Sequence, residues 1–506
     1  MDKKYVLAID QSTQGTKAIL FDRTGDLVCR TDLAHKQLIN EKGWVSHDLN
    51  EIYANTIQAV KNLIEKAGIQ KDEIACLGIS NQRETSAAWS RESGKPLAPA
   101  IVWQCARAED ICERIKNNVM IDPGREAGIH GGAAEVIRMK TGMRLSPYFP
   151  AAKYAWLQEN AEAVKTAKKS HDLCLGTIDT YLLYRLTGGA VYATDYSNAS
   201  RTQLFNIHTL QWDEEICAWF GIDVSMLPEV KDSSCLYGET DFEGYFDEAV
   251  PICGVIGDSQ GALFGQGCIE KGMVKATYGT GSSVMMNAGD KIIESDLGLV
   301  TSLAWGMNGK VTYVLEGNIN YTGAVITWLK DDMGLITSPG ETQELANEAN
   351  KKDATYLVPA FSGLGAPYWN SNARAMIYGM SRTTGKKEIV KAALESIAYQ
   401  ITDIVEMMKA EDGITVKELC VDGGPTGNQY LMKFQSDILG STVSLPRCEE
   451  SSALGAGFMA GLCYGIYTQE SIFTQVKRNR FIPSMAPEER IQKYLGWKNA
   501  VEKVLN

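Results

Sequence analysis

This chain of 506 residues lacks the features that mark a metal-held, disulfide-stapled or membrane-embedded protein. Its five histidines, His35, His47, His130, His171 and His208, show no HxxxH or HExxH spacing, so nothing signals a structural zinc. The twelve cysteines stand singly between Cys29 and Cys463, with no CxxC pair. That pattern argues against a disulfide framework and for reduced thiols in a cytoplasmic protein. Positive charge is not in excess: 50 Lys and Arg face 62 Asp and Glu, a net charge of −12. Nucleic acid and anionic membranes are therefore not expected partners. The opening "MDKKYVLAID" passes from charge straight into a strand pattern, without the apolar stretch and cleavage site of a secretion signal. The uncharged run Ser451 to Gln469 approaches spanning length, but its Gly, Ser and Tyr fit a helix buried in an α/β domain better than a membrane span. A Walker A loop is also missing.

The length exceeds one ordinary core, so at least two domains are expected. Tyr5 to Ile9 reads as a strand, "DQSTQGTK" as a polar turn and Ala18 to Phe21 as a second strand. A helix follows, with Asp48 and Glu51 at capping-box spacing, Tyr53, Ile57, Val60 and Ile64 on one face, and Gly68 past its end. "EIACLGIS" then reads as a strand that ends in "NQRET". The second half repeats this logic: "MVKATYGTGSSVMMNAGD" is a hairpin, a helix runs from about Lys387 to Ala410, and the strand "VKELCVD" ends in "GGPTGN". The pattern predicts two related α/β domains, 1–265 and 266–506, that meet near Gly257 to Gly272. An apolar strand, "PICGVIG", would then deliver Asp258 to the junction. Strand C-termini and domain interfaces favour ligand sites; the plainer alternative is that Asp258 only caps the helix that follows.

Four polar turns carry the chemistry. In "DQSTQGTK", backbone N–H groups and hydroxyls can hold phosphate oxygens, Lys17 adds charge, and Asp10 can hold a hydrated Mg2+. "TYGTGSS" is its counterpart, with Thr280 between two glycines. "VDGGPTGN" offers the open backbone that a flat base needs. In "NQRET", Arg83 beside Glu84 can clasp neighbouring hydroxyls of a polyol, one donating and one accepting. Trp103 can pack on a carbon skeleton. Each turn taken alone reads equally well as an ordinary hairpin or tight bend, and the Arg83–Glu84 pair as a surface ion pair.

Taken together and in order, these segments resemble the FGGY carbohydrate kinases, and within that family most resemble its glycerol kinase branch. The likeness runs through "GWVSHD", "GISNQRET", "IVWQC", "SPYFPAAKYAWL", "ATDYSNASRTQLFNIHTLQWD", "GDSQGALFGQ", "TYGTGS", "PAFSGLGAPYW", "LESIAYQ", "VDGGPTGNQYLMKFQSDIL" and "ALGAGFMAGL". The resemblance implies two actin-like (ribonuclease H-like) domains about a cleft, with ATP and Mg2+, and phosphoryl transfer to a small polyol or open-chain sugar. It implies that Asp258 is the general base and Asp10 the magnesium-side acid. Thr13, Gln14, Gly15, Lys17 and Thr280 fall on the phosphate turns. Gly323, Thr327, Gly424 and Asn428 fall where the family holds the nucleotide. Arg83, Glu84, Trp103 and Tyr148 fall where the acceptor is held. A homodimer or homotetramer is compatible with the resemblance.

The sequence departs from that branch in places that matter. Ser259 stands where glutamine follows the base, and Ser283 where an aromatic residue follows the second phosphate turn. Both are small hydroxyls, which predicts a roomier, more polar pocket for a C4–C5 polyol or ketose; glycerol itself is the alternative, and a sugar- or nucleotide-binding regulator the non-enzymatic one. The loop "DFEGYFDEAV" is acidic where bacterial relatives bind fructose 1,6-bisphosphate, so that regulation is not expected. "NNVMIDPGREAGIHGG" reads as an insertion ahead of Tyr148.

Overall fold

The computed structural model describes residues 3–118, 132–295, 297–446, 448–474 and 478–506; most of the expected insertion, 119–131, lies outside them. Thirteen strands form one mixed sheet: β1 (Tyr5–Gln11), β2 (Gly15–Phe21), β3 (Leu27–Ala34), β4 (Ile74–Asn81), β5 (Ser234–Thr240), β6 (Val250–Gly257), β7 (Val274–Tyr278), β8 (Ser282–Gly289), β9 (Val300–Met307), β10 (Lys310–Ile319), β11 (Glu418–Asp422), β12 (Thr442–Pro446) and β13 (Arg478–Phe481). Their order is β13-β12-β11-β7-β8-β10-β9-β5-β6-β4-β1-β2-β3. In the first half, β3-β2-β1 are antiparallel, and β4 and β6 then add in parallel. In the second, β10-β8-β7 are antiparallel, and β11 and β12 add in parallel. The expected repeat is therefore present in topology, although the sequences of the halves do not match. One register pair, Ser234 with Met307, joins the two parts of the sheet.

Local chemistry explains the elements. Helix α1 (Leu49–Ala67) buries Tyr53, Ile57, Val60 and Ile64, and ends at Gly68 with φ 65°. Asp48 caps it by accepting the Asn50 N–H at 2.8 Å. The capping box does not close, because the Glu51 carboxylate turns outward to accept the Lys36 N–H at 3.3 Å. The helices that build the cleft and the seam are α2 (Pro150–Asn160), α3 (Tyr196–Ser200), α4 (Asp258–Gly265), α5 (Gly323–Asp331), α6 (Lys386–Asp412), α7 (Gln429–Leu439) and α8 (Ser451–Tyr464).

Helix α8, the uncharged run of the sequence, belongs to the second half but packs on α4, β4 and β6 of the first. Small residues permit this. A methyl at Gly455 would overlap the Gly261 carbonyl, and one at Gly78 would overlap the Ala456 carbonyl. Backbones meet here without side chains between them, and Phe264, Phe458, Met459 and Ile256 fill the surrounding layer. Among the described residues, no helix is long and apolar enough to cross a membrane. Gly455→Ala is expected to cost about 1–3 kcal/mol by overpacking; an unchanged urea midpoint would contradict the close approach.

Candidate active site

Three parallel strands stop at one level. Gln11 pairs in register with Asn81, and Asn81 with Gly257. The turn after β1, the segment Gln82–Arg83–Glu84 after β4, and Asp258 after β6 are thus delivered side by side at the carboxyl edge of the sheet, the usual place for a ligand in open α/β sheets. Glycine at 257 has a specific reason: a Cβ there would lie 2.8 Å from Arg83 Cγ. The Arg83 side chain lies across the end of β6 because no side chain blocks it. Glu84 has φ 50° and is buried, a left-handed conformation that a non-glycine residue holds only where its surroundings enforce it.

These ends open into a cavity of about 1040 Å3, which Thr13, Gln14, Arg83, Glu84, Trp103, Tyr148, Asp258, Ser259, Thr280 and Ser283 all line. Asp258 is the first residue of α4, and Gly257 is its cap, so capping is not what Asp258 does. Its Oδ1 accepts the Ser259 N–H at 2.6 Å and the Ser259 hydroxyl at 3.2 Å, and lies 3.3 Å from Arg83 Nε. Burial raises its pKa above the usual carboxylate range; Arg83 opposes the rise and Glu84 adds to it. Trp103 donates its indole N–H to Thr13 Oγ1 at 2.9 Å and meets the Tyr148 ring edge-on at 5.6 Å, so its ring presents a surface and its N–H is engaged.

Arg83 does not act as a surface ion. Its Nη1 donates to Gln260 Oε1 at 3.2 Å and Glu316 Oε2 at 3.3 Å, and its Nη2 to Glu316 Oε1 at 3.2 Å. One Nη2 N–H has no protein acceptor among the described residues. Arg201 donates through Nε to Glu84 Oε1 at 2.5 Å and through Nη1 to Glu316 Oε2 at 2.7 Å. Ser283 donates its hydroxyl to Glu316 Oε1 at 3.1 Å. Burial alone would raise the Glu316 pKa, but the two guanidinium groups hold it well below the usual range. Lys153, fully buried on α2, donates to the carbonyls of Glu84, at 3.3 Å, and Tyr148. Sequence reading missed Glu316, Arg201 and Lys153. The available signal was a lone charge inside an apolar run, as in "YVLEG" and "PAAKYAW".

The phosphate side differs in part from expectation. Asp10 is buried, 3.9 Å from Lys17 Nζ. Burial pushes its pKa up to about 6, with Lys17 opposing and Asp258 adding. Lys17 has a carboxylate partner within the protein. It bonds Glu450 Oε2 at 2.7 Å and shares that carboxylate with Arg30, because the start of α8 sets Glu450 over the β1–β2 hairpin. Gly15 packs beneath the Leu33 carbonyl, within the hairpin. Thr280 and Gly323 belong together: the Ala324 N–H bonds the Thr280 carbonyl at 3.0 Å, and the Gly323 N–H the Gly279 carbonyl at 2.8 Å. Thr327, one turn along α5, is exposed and reaches back to the Gly323 carbonyl. Gly424 is open on its Cβ side, whereas its neighbour Gly423, at φ 98°, packs on the Tyr278 carbonyl. Asn428 caps α7 by accepting the Leu431 N–H at 3.0 Å. None of Asp10, Gly15, Lys17, Gly323, Thr327, Gly424 and Asn428 lines the cavity that holds Asp258.

The paired ribonuclease H-like topology, with polar turns and a carboxylate gathered at one sheet edge, places the chain in the actin-like fold class. The comparisons narrow this. Profiles of the FGGY family of carbohydrate kinases match the chain, the N-terminal domain over residues 5–265 and the C-terminal domain over 274–463. The chain is 46% identical over 505 residues to a glycerol kinase of Carboxydothermus hydrogenoformans, covering 99% of this chain and 98% of that one. It is also 46% identical over 505 residues to glycerol kinase 2 of Thermotoga maritima, covering 99% of each. The structure of Plasmodium falciparum glycerol kinase with ADP superposes with a TM-score of 0.90 at 36% identity, covering 100% of this chain and 99% of that one. A xylulose kinase of Lactobacillus acidophilus, 22% identical with a TM-score of 0.86 and covering 99% of this chain and 97% of that one, shares the fold. The chain belongs to the FGGY family of carbohydrate kinases and is an ATP-dependent carbohydrate kinase that works with Mg2+. Asp10 fits the metal: a buried carboxylate pushed toward its neutral form gains from a hydrated cation, and Mg2+ typically takes one or two carboxylates and keeps several waters.

Burial pushes the Lys153 ammonium down from 10.5 to about 7. Between those values the unfolded chain retains a proton that the folded chain has released, so the stability due to Lys153 rises with pH across that window. Denaturant midpoints at pH 7, 8 and 9 should therefore move in favour of the unaltered chain relative to Lys153→Met. A difference that is independent of pH would contradict this.

Proposed function

We propose that the enzyme transfers the γ-phosphoryl group of ATP to a terminal hydroxyl of a small polyol, with Asp258 as general base. One observation carries the reading. Asp258 lines one cavity with Arg83, which keeps one Nη2 N–H without a protein acceptor among the described residues, and with Glu84, whose Oε2 has no protein donor among them. A vicinal diol presents one hydroxyl that accepts from Arg83 and one that donates to Glu84, leaving its terminal hydroxyl toward Asp258. Trp103 and Tyr148 back the carbon chain. The Thr280 turn and the Thr13–Gln14 turn line the same cavity and would receive the phosphates through backbone N–H groups and hydroxyls.

Phosphoryl transfer needs alignment and neutralised oxygens more than covalent help. Mg2+, held on the Asp10 side, supplies that neutralisation when bound. Asp258 accepts the acceptor's proton as the oxygen attacks, and its raised pKa brings it nearer the working pH, where a base is most effective. The halves 1–265 and 266–506 are the bodies proposed to close on both substrates and expel water. Gly323, Gly424, Asn428 and Thr327 are proposed to hold the nucleoside portion beyond the Thr280 turn. Asp258→Asn is expected to lower kcat by about 10²–10⁴-fold with little change in the KM for ATP; near-normal turnover would remove the base from the scheme.

For the acceptor's length we favour a C4–C5 polyol or ketose. Ser259 and Ser283 both line the cavity that Asp258 lines, and both are small hydroxyl side chains. The names of the relatives favour glycerol. Comparing kcat/KM for glycerol, erythritol, threitol, xylulose and ribulose decides between them: the roomier pocket is expected to favour a four- or five-carbon acceptor, and a clear preference for glycerol would reject it.

A further inference from the structure

Glu316 comes from the second half, on β10, yet both of its oxygens are used by side chains that build the acceptor wall. Oε1 takes Arg83 Nη2 at 3.2 Å and Ser283 Oγ at 3.1 Å; Oε2 takes Arg83 Nη1 at 3.3 Å and Arg201 Nη1 at 2.7 Å. It is 1% exposed, so these partners, and not water, are its solvation. The consequences for orientation are specific. A two-pronged grip on both terminal nitrogens fixes the plane of the Arg83 guanidinium, because the fork geometry admits few orientations. With that plane fixed, Nε lies 3.3 Å from Asp258 Oδ1 and one Nη2 N–H is left over for a ligand. The same carboxylate anchors Arg201, whose Nε holds Glu84 Oε1 and so leaves Oε2 free. One residue thus sets which donor and which acceptor the wall presents. We infer that Glu316 is the positioning residue for the polyol acceptor, acting from the opposite half through Arg83 and Arg201.

This rests on the proposed polyol-kinase reading. It also separates Glu316 from a merely structural ion pair. A structural loss would degrade binding of both substrates. Loss of positioning strikes the acceptor more than the nucleotide, because three of the four hydrogen bonds that Glu316 accepts come from Arg83 and Arg201 on the acceptor wall, and only the one from Ser283 reaches the strand that leaves the Thr280 turn. Glu316→Gln tests the point, since an amide nitrogen cannot accept from a guanidinium and one arm of the grip is lost. The full chain is assayed by ADP release with the preferred polyol from the panel. The expected result is a rise of about tenfold or more in the KM for the polyol, with the KM for ATP within about twofold and a far-UV spectrum unchanged. A polyol KM within about twofold of the unaltered chain, or equal rises in both KM values, overturns the inference. Should Glu316→Gln be recovered only as aggregate, Glu316→Asp decides. It keeps the charge but is one methylene too short to reach both guanidinium groups; a polyol KM raised about threefold or more supports positioning, and an unchanged one rejects it. The unaltered chain is the control: with no polyol-dependent turnover there, the functional reading falls first and takes this inference with it.

Discussion

Four charged side chains leave bulk water at one point of this molecule, Arg83, Glu84, Arg201 and Glu316, and the partly exposed Asp258 stands beside them. Taking even one ion out of water costs several kcal/mol, and only well-placed opposite charges with satisfied hydrogen bonds offset that cost. No one half of the chain could bury this set alone. Without Glu316 from the second half, Arg83 and Arg201 would face Glu84 and Asp258 with their remaining donors unmet. The two halves therefore meet here, at the cavity that Arg83, Glu84, Arg201 and Asp258 line. Such a network contributes little to net stability. Its effect is on geometry, because every member has few alternative partners.

The same constraint explains the strand ends. Ending β1, β4 and β6 in register places three polar segments at one level, and Gly257 then lets Arg83 lie across the end of β6. The glycines of α4 and α8 do the corresponding work beneath, letting backbone approach backbone so that Asp258 sits directly over the seam. Glu84 holds a left-handed conformation and Lys153 buries its Nζ. Both belong to the layer around the acceptor wall, where a protein tolerates such costs because the surrounding contacts over-determine the arrangement.

Much of this was legible in the sequence, for physical reasons. Strands and turns announce themselves by period and by glycine, so β1–β2, β7–β8, the cap at Asp48 and the stop at Gly68 were readable, and Asp258 stood out as an acid at the end of an apolar strand. What was not readable depends on tertiary partners. Glu316 is a lone acid in an apolar strand, and nothing local says that two arginines from 115 and 233 residues away will meet it. The polar turn made Lys17 legible as a candidate cation, but not its partner Glu450, 433 residues on. Glu51 had the spacing of a capping box, but its carboxylate accepts from the Lys36 N–H instead.

The central claim is that acceptor and nucleotide meet at Asp258 inside this cleft. A crystal structure of the full chain with ADP, Mg2+ and a polyol tests it most directly. The account predicts a terminal hydroxyl within about 2.6–3.2 Å of the Asp258 carboxylate, its neighbours on Arg83 and Glu84, and the diphosphate at the Thr280 turn. A polyol bound away from Asp258, or a nucleotide outside the cleft, would contradict it.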